Sequence, residues 1–464
     1  MAPRARRAEP DGRAPRVTRH EASDIAMGRV YALALLITVS ARVAAEPLTA
    51  LGPCGPVDRP YDPVELPAAR LRDLKGTAVG RLGLVASRQG RVRPIPFQVD
   101  QRNGRKLALP EGPEPTRAER AGILGPDDLV VFMSCDAGER MASADVEQSG
   151  GGKAPSLWRE IRLEDPLDHT AGFVYLVVAD APPESPARYV AYDGRGDLVS
   201  TTRYRVGMVN ALPNYFALFS DGAVGPNLLD GLRLRADATL LAKLAHWTLN
   251  EQQGEHELIA WKAGPVRVVR RSLHQVRVVG IHLTAARAHS YFYPRHVFGP
   301  GSMKLPLSPG WVFRDITALG GADFRDLHGW RYHAPGTPAE GFRVDGHMDE
   351  AERAFDASGD WFLLTRGEAA IMMVTRMSEN LRRGLRIKLV YVDDADRRAP
   401  PEAVPGSVPL VGYRGLDVER LPADRYQFQL RIFVLSPYHA GDERRVLAQL
   451  DAPLTVDVTG EAGP

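Results

Sequence analysis

Short apolar runs separated by glycine and proline recur along most of the chain. They occur at residues 172–178, 266–269, 275–279, 361–364, 371–374, 386–392 and 426–434. The last run alternates apolar and polar residues, a period of two that is typical of a strand with one buried face. The 44 glycines and 37 prolines punctuate these runs and indicate frequent turns. We therefore expect short β-strands to be the main elements.

Helix patterns are few, and they predict only two or three turns each at residues 116–124, 348–355 and 443–450. Residues 236–249 carry leucines that would suit a helix. However, polar and apolar residues alternate from 233 to 239, which favours a pair of strands. The predicted fold class is all-β, with sheets packed face to face as β-sandwiches.

A domain boundary is predicted between residues 185 and 195. Residues 182–186 are rich in proline, and residues 193–197 form a Gly- and Asp-rich segment that we interpret as a hairpin turn. The boundary divides the chain into an N-terminal β domain, residues 46–185, and a larger C-terminal β-sandwich domain, residues 195–464.

Residues 27–45 have the pattern of a secretory signal peptide. Arg29 precedes an apolar run over residues 30–39, and small residues lead to a cleavage site near Ala45. The run is too short to span a membrane, which takes about 20 residues. Residues 1–26 are interpreted as a disordered leader or an over-called start. The expected location is periplasmic or extracellular.

Removing the predicted leader changes the charge of the protein. The whole chain has a formal charge of +2, but residues 1–45 contain eight basic and four acidic side chains. The remainder is slightly acidic, so there is no electrostatic case for nucleic acid as a partner. After Ala45 no apolar stretch reaches membrane-spanning length, and we expect a soluble protein.

The two cysteines, Cys54 and Cys135, both follow the predicted signal. In an oxidising compartment they can form a disulfide that closes a loop of about 80 residues. The alternative is two separate buried thiols.

Gln98 and Asp100 lie in the segment PIPFQVDQ, residues 94–101, and share one face of a predicted strand. The segment GPDDLVVFM, residues 125–133, follows about 25 residues later. One interpretation is a carboxylate cluster that binds Ca²⁺, the one candidate cofactor, or a sugar hydroxyl. The interpretation that we favour is a buried polar network that satisfies a turn.

These two segments resemble the P-x-Q-x-D…D-E-L-V-F signature of exported bacterial β-sandwich proteins of unknown function. Some of those proteins resemble rhamnogalacturonan-lyase-type polysaccharide enzymes. Residues 264–270 are similar to the G-P-[VL]-R-V strand of their larger domain. Asp128 stands where the signature has Glu. The resemblance covers about 60 residues, implies a carbohydrate-associated β-sandwich, and brings no catalytic residue with it.

Nine of the 12 histidines fall between residues 246 and 347, interleaved with Trp and Tyr. Such a surface suits a polysaccharide, because aromatic faces stack on sugar rings while Arg and His engage hydroxyls or uronate carboxylates. A lyase needs a base close to a cation that stabilises the enolate. Its candidate catalytic residues are Tyr293, Arg295 and His296. Its candidate binding residues are His328, Trp330, Tyr332 and His333, together with Gln98 and Asp100.

Two other interpretations of the histidine-rich region stay open. One is a metal site formed by His282, His289 and His296. Their spacing of seven matches no known ligand motif, so we do not predict a metal. The residues can also be amphipathic side chains that line sheet faces with their polar ends in water. No G-x-S-x-G, P-loop or H-E-x-x-H motif occurs.

The sequence therefore predicts an exported, carbohydrate-associated β protein that binds glycans or acts as a lyase. The alternative function is a non-catalytic structural or interaction subunit of a cell-envelope complex. The two differ in one expectation: a glycan-active protein should place Tyr293, Arg295, His296, Trp330 and Tyr332 around one concave groove.

Overall fold

Strands make up most of the regular structure, so the all-β prediction is confirmed. The computed structural model describes residues 47–149, 154–220, 222–240, 245–278, 281–397 and 406–459. The predicted leader, residues 1–26, and the predicted signal peptide, residues 27–45, lie outside these ranges.

The elements are short and follow the order of the apolar runs. The first strands are β1 (Pro63–Pro67), β2 (Leu82–Arg88), β3 (Arg91–Pro94), β4 (Phe97–Asp100), β5 (Arg102–Asn103), β6 (Lys106–Leu107), β7 (Leu129–Met133), β8 (Leu157–Glu164), β9 (Ala171–Val178), β10 (Val190–Asp193), β11 (Leu198–Thr201), β12 (Tyr204–Val209), β13 (Leu212–Ser220) and β14 (Ala223–Val224). The later strands are β15 (Leu229–Leu240), β16 (His246–Asn250), β17 (Gly254–Ala263), β18 (Val268–Val278), β19 (Ile281–Phe292), β20 (His296–Leu305), β21 (Phe313–Phe324), β22 (Arg331–His333), β23 (Phe342–Arg343), β24 (Trp361–Arg366), β25 (Ala369–Met377), β26 (Arg386–Val392), β27 (Leu410–Leu416), β28 (Asp424–Leu435) and β29 (Thr455–Thr459). The α-helices are α1 (Ser143–Glu147), α2 (Glu350–Arg353), α3 (Glu379–Gly384) and α4 (Asp442–Asp451).

The strands of the described residues pair in antiparallel sheets. The largest has nine strands in the order β17-β18-β19-β20-β28-β25-β24-β22-β23. The others run β16-β15-β21-β27-β26, β10-β11-β12-β13-β14, β29-β8-β9-β2-β3, β1-β7-β4 and β5-β6. Antiparallel neighbours joined by short connections account for the frequent Gly- and Pro-rich turns.

Strand β7 lies between two cores because its sequence, LVVFM, is apolar at every position. Val130 and Phe132 face a core shared with strands β8 and β9 of the neighbouring sheet. Val131 and Met133 face the opposite way, into the largest core of the protein. A strand covered on both faces reads as a continuous apolar run rather than an alternating one.

The C-terminal strand returns to the N-terminal part of the structure. Strand β29 pairs with β8, with Val456 opposite Leu163. The described residues between 47 and 459 belong to one compact unit. The division into domains 46–185 and 195–464 stays a prediction, and β29 contributes to a sheet built from the first of these segments.

Two local predictions have different outcomes. Residues 236–249 belong to β15 and β16, which pair with Ala236 opposite Leu249, as the alternation indicated. Residues 116–124 form turns instead of the predicted helix. Thr116 accepts a hydrogen bond from the backbone N–H of Leu109 through its hydroxyl, and Gly122 has a positive φ of 76°. A helix cannot accommodate either feature.

No helix within the described ranges is long and apolar enough to cross a membrane. Cys54 and Cys135 form a disulfide that spans 81 residues of sequence. This bond attaches the segment that precedes β1 to the end of β7.

Candidate functional site

The signature segment over residues 94–101 contacts the G-P-[VL]-R-V segment over residues 264–270. Gln98, on β4, accepts hydrogen bonds through Oε1 from the backbone N–H groups of Val266 and Arg267, at 3.2 and 3.0 Å. Its Nε2 donates to Asp100 at 2.8 Å. The Gln side chain therefore holds β4 against the GPVR segment, about 168 residues away in sequence.

Asp100 is fully buried and is surrounded by cations. Arg267 Nε donates to its Oδ2 at 2.8 Å, and Lys262 Nζ donates to its Oδ1 at 2.7 Å. Burial by itself would raise the pKa of the Asp100 carboxyl, but Arg267 and Lys262 outweigh burial and lower that pKa to about 2. Asp100 is therefore ionised at neutral pH.

Arg267 extends this network to the edge of β1. Its Nη1 donates to Glu65 Oε1 at 2.5 Å and to the hydroxyl of Tyr293, which itself donates to Glu65 at 2.9 Å. Arg267 is 1% exposed, so its charge depends on these acceptors.

The network favours the structural interpretation of Gln98 and Asp100, because both Asp100 oxygens are occupied by protein donors. Asp128 behaves similarly: its two oxygens accept from the backbone N–H groups of Arg102 and Gly125, each at 2.7 Å. Within the described ranges no group of three or more His, Cys, Asp or Glu side chains is arranged to hold a metal ion.

A pocket of about 330 Å³ opens beside this network. Its walls come from β1 and the residues before it, from β20, from β28, and from the end of α4 with the chain that leads into β29. Its chemically active side chains are Tyr61, Asp62, Glu65, Tyr293, His296 and Arg431, and Phe298, Phe433, Leu450 and Leu454 are among its apolar ones.

His296 lies deep in this pocket wall. Its ring stacks on Tyr293, with centroids 4.5 Å apart, and on Phe433, at 5.6 Å. Burial, followed by the charge of Arg431, lowers the pKa of His296 to about 3, so the imidazole is neutral at ordinary pH. The residue is 3% exposed, and its Nδ1 has no hydrogen-bond partner among the described residues.

Arg431 supplies a cation to the same pocket. Its guanidinium lies over the ring of Phe298, 4.8 Å from the centroid. Within the described ranges it forms no hydrogen bond or ion pair. Burial lowers the pKa of Arg431, and the negative charge of Asp62 is the strongest influence that raises it.

Asp62 directly precedes β1, and it lines the same pocket as Arg431. Burial raises the pKa of Asp62 to about 6. Arg59 opposes this rise, because its Nη1 lies 3.3 Å from Asp62 Oδ2 and favours the ionised carboxylate. Arg59 is shared with Asp165, to which its Nε donates at 2.6 Å, and with the backbone carbonyl of Gln449 at 2.9 Å. Asp62 is thus only weakly neutralised, and it titrates close to neutral pH.

The three predicted catalytic residues lie near one another but have different environments. Tyr293 and His296 line the pocket. Arg295 is not among the residues that line the pocket, and it lies next to Tyr61. Burial raises the pKa of the Tyr61 phenol to about 12, and the charge of Arg295 opposes this rise. Arg295 Nη2 donates to the carbonyl of Leu51 at 3.4 Å.

The predicted binding residues of the second cluster do not reach this pocket. Trp330 is 5% exposed, and Tyr332 is fully buried and stacks on Tyr391 at 4.6 Å. His333 hydrogen-bonds Thr365 at 3.3 Å, and burial lowers its pKa. The cause is that β22 lies near the far edge of the nine-stranded sheet, where its apolar face covers the core.

His328 corrects a second detail. Of the four candidate binding residues in this cluster, only Tyr332 and His333 lie on β22, which begins at Arg331. His328 lies in the preceding turn, is half exposed, and contacts Asp326 Oδ1 at 2.6 Å. The expected single groove lined by Tyr293, Arg295, His296, Trp330 and Tyr332 is therefore not formed.

Sequence reasoning missed Tyr61, Asp62, Glu65, Phe298 and Arg431. These residues are separated by up to 370 positions, and no spacing rule connects them.

No protein-family model matches this chain, and no curated protein matches it. The resemblance to rhamnogalacturonan-lyase-type enzymes therefore stays a prediction.

Among solved structures, the chain is similar to an α-mannosidase from Enterococcus faecalis V583, with a TM-score of 0.42 and 9% identity over 86% of this chain and 44% of that one. It is similar to a protein of glycosyl hydrolase family 38 from Enterococcus faecalis, with a TM-score of 0.40 and 8% identity over 86% and 45%. For an α-N-acetylgalactosaminidase from Bifidobacterium bifidum the TM-score is 0.30, with 15% identity over 55% and 38%. The chain spans less than half the length of each of these proteins, and these likenesses assign it to no family.

Proposed function

We propose that the pocket beside β1, β20 and β28 binds an acidic carbohydrate, and that the protein is an exported, carbohydrate-associated protein. The observation that carries the proposal is the arrangement of Arg431 and His296 in one pocket. The Arg431 guanidinium, which makes no hydrogen bond or ion pair among the described residues, and His296, whose buried Nδ1 has no hydrogen-bond partner there, both line this pocket. Such groups cost free energy unless a ligand satisfies them.

A uronate residue fits this chemistry. Its carboxylate can pair with the Arg431 guanidinium, a charge-assisted contact that is stronger than a neutral hydrogen bond. A sugar hydroxyl can form a hydrogen bond with His296 Nδ1, which accepts in one neutral tautomer and donates in the other, because the low pKa of this histidine keeps the imidazole neutral. Tyr61 and Phe298 contribute apolar atoms to the pocket wall that a sugar ring can contact.

The finer proposal is a lyase-type elimination. With the carboxylate neutralised by Arg431, the proton on the adjacent carbon becomes acidic, and the carboxylate of Glu65, the more exposed member of the Tyr293–Glu65 pair, accepts it. A carbon–carbon double bond forms as the bond to the glycosidic oxygen breaks. Asp62, whose pKa is about 6, gives a proton to the departing oxygen. His296 serves as a hydrogen-bond partner, since it is too weak a base for this step.

Calorimetry with uronate oligosaccharides tests the binding proposal. We expect Arg431→Gln to weaken binding by about tenfold or more, which corresponds to a lost charged hydrogen bond. Arg414→Gln, at an exposed position on β27, is the matched control and should bind like the wild type. The affinity for neutral oligosaccharides should be the same for Arg431→Gln and the wild type. Equal uronate affinity of the Arg431→Gln variant and the wild type would refute the proposal.

A second candidate function is the non-catalytic structural or interaction subunit of a cell-envelope complex. It is favoured by the burial of Trp330 and Tyr332, which removes them from any sugar-binding surface. The absorbance of unsaturated uronates separates the two, because only a lyase produces this signal from polysaccharide. Binding without that absorbance would leave a glycan-binding protein, and neither signal would favour the interaction subunit.

A further inference from the structure

Two histidines face each other at the edge of the nine-stranded sheet. His256, on the edge strand β17, lies directly opposite His274, on β18. Their Nδ1 atoms are 2.9 Å apart, and their ring centroids are 5.0 Å apart. Both residues are half-buried, and neither lines the pocket beside β1, β20 and β28. The pair is therefore a separate cluster of titratable groups, to which the carbohydrate proposal assigns no role.

The other nitrogen of each ring has its own hydrogen-bond partner. His256 Nε2 lies 3.3 Å from the backbone carbonyl oxygen of Glu251. A carbonyl only accepts, so this nitrogen carries a proton, and in the neutral ring Nδ1 of His256 has a lone pair. His274 Nε2 lies 2.7 Å from the hydroxyl of Ser272, which can donate or accept. The two Nδ1 atoms are therefore joined by whatever lies between them, a proton or a metal ion.

A single proton joins the two rings when no ion is bound. His274 Nδ1–H donates to His256 Nδ1, and the Ser272 hydroxyl donates to His274 Nε2. Burial, followed by the charge of His256, lowers the pKa of His274 to about 4, so this imidazole is neutral at ordinary pH. The alternative neutral tautomer of His274 carries its proton on Nε2, which then donates to Ser272. In that tautomer both Nδ1 atoms present lone pairs to the same point, and only a cation between them relieves the repulsion.

The distance between the two Nδ1 atoms indicates which ion fits. Two bonds of about 2.0–2.1 Å from one metal ion to nitrogens 2.9 Å apart enclose an angle of about 90°. Tetrahedral coordination with the same bond lengths needs nitrogens about 3.3 Å apart. A right angle is the angle between neighbouring ligands of a square-planar or tetragonal ion. Cu(II) and Ni(II) prefer this geometry with nitrogen and oxygen ligands.

We propose that His256 and His274 bind a divalent copper ion through their Nδ1 atoms. The two Nε2–H groups donate to the Glu251 carbonyl and the Ser272 hydroxyl, the kind of outer contact that orients metal-binding histidines. Within the described ranges no third His, Cys, Asp or Glu side chain joins the pair, so water fills the other positions of the ion. Copper is preferred because it binds a given set of nitrogen ligands more tightly than Ni(II) or Zn(II).

The charged residues beside the pair are compatible with a bound cation. Two exposed acids, Glu255 and Glu257, flank the histidine of β17 in sequence. Arg270 is a nearby cation that acts on His274, but it forms an ion pair with Asp197. The one cation of β18 that acts on the site is therefore offset by a carboxylate.

A nucleophilic role for Ser272 fits this cluster less well than a metal site. Ser272 is 4% exposed, and β18 is paired on both sides at this position, opposite Leu258 and Ala288. Backbone N–H groups of a strand between two partners are engaged in the sheet, so they cannot form an oxyanion hole beside the hydroxyl. We therefore assign the hydroxyl the role of orienting His274.

Titration of the full, tag-free chain with Cu(II), in a buffer that does not bind copper, tests the proposal. We expect calorimetry to show one site per chain and electron paramagnetic resonance to show a tetragonal spectrum with two nitrogen ligands. Ser272→Ala should weaken binding by about tenfold, and His256→Gln and His274→Gln by at least as much, since even an outer contact contributes about 10–100-fold. His439→Gln, at an exposed histidine, is the matched control and should bind like the wild type.

Three results would overturn the proposal. The first is a wild-type protein without a stoichiometric copper site. The second is equal copper affinity of the wild type and the His256→Gln and His274→Gln variants, which would assign the copper to other, exposed histidines. The third is tighter binding of Zn(II) than of Cu(II). The urea unfolding midpoint without copper shows whether each variant folds. If a histidine variant does not fold, the wild-type spectrum decides: two nitrogen ligands support the proposal, and one or none refutes it.

Discussion

Arg267 and Asp100 form a buried ion pair between segments 167 residues apart, with Arg267 Nε 2.8 Å from Asp100 Oδ2. Neither side chain is more than 1% exposed. The pair connects β4, in the three-stranded sheet, to the residue that precedes β18, in the nine-stranded sheet. It also orients Arg267 so that its other nitrogen holds Glu65 and Tyr293 at the pocket.

Removing the carboxylate of this pair should be strongly destabilising. Asp100→Ala leaves Arg267 and Lys262 buried without their shared acceptor, and we expect a loss of about 3–5 kcal/mol in the free energy of unfolding. Urea denaturation followed by circular dichroism measures it. Asp127→Ala, at a neighbouring exposed position, should change stability by less than about 0.5 kcal/mol. A loss of similar size in both variants would contradict the assigned role of Asp100.

The Arg267–Asp100 pair should make the free energy of unfolding depend on pH in the acid range. The pKa of Asp100 is about 2 in the folded protein, below its usual value in an unfolded chain of about 3.9. Its stabilisation is therefore complete above pH 4 and is lost as the pH falls towards 2, by about 2 kcal/mol. Urea titrations between pH 2 and 5 should show this decline. A decline absent from the wild type over this range would argue against a depressed pKa.

Asp136 should make the stability of the protein depend on pH in the opposite sense to Asp100. Burial raises its pKa to about 6, Tyr189 donates to its Oδ1 at 2.7 Å, and Oδ2 has no partner among the described residues. Since the folded protein binds this proton more tightly, stability should fall as the pH rises from about 4 to 6, by about 3 kcal/mol. Asp136→Asn should flatten this part of the profile. If the wild type and the variant have parallel profiles, Asp136 does not titrate in this range.

The disulfide should contribute substantially to stability. A loop of 81 residues corresponds to about 4 kcal/mol in the chain-entropy description. We expect the double variant Cys54→Ser, Cys135→Ser to unfold at lower urea concentration than the wild type. The reductant dithiothreitol should shift the midpoint of the wild type but not that of the variant. Thiol titration of the denatured, unreduced wild type should detect no free thiol, and two thiols would contradict the pairing.

Substitutions of Tyr332 should show whether this residue packs in the core or binds a ligand. Its hydroxyl is buried and has no partner among the described residues, so Tyr332→Phe should leave stability unchanged or raise it. Tyr332→Ala should cost about 3–5 kcal/mol, because it removes a ring packed on Phe362 and Tyr391. Uronate binding by the Phe variant, measured by calorimetry, should equal that of the wild type. Weaker binding would place Tyr332 in the ligand site after all.

The elements were predictable where the pattern was local. Residues 386–392 coincide with β26, and residues 426–434 lie within β28, because alternation of apolar and polar side chains follows directly from the geometry of a strand. Residues 116–124 were predicted wrongly because a threonine hydroxyl and a glycine turn prevailed over helix propensity. The signature segments drew attention to Gln98 and Asp100, but their partner Arg267 became evident only in three dimensions.

The sequence by itself determined the all-β class and the positions of several strands, since both depend on the order of apolar, polar and turn-forming residues. It also identified Tyr293 and His296 as candidates for the site. Only the tertiary structure decided that these two share a pocket with Asp62, Glu65 and Arg431 while Tyr332 packs in the core. The reason is physical: which face of a strand meets a pocket, and which is covered, depends on sheet pairing between residues hundreds of positions apart, and no local pattern records that pairing.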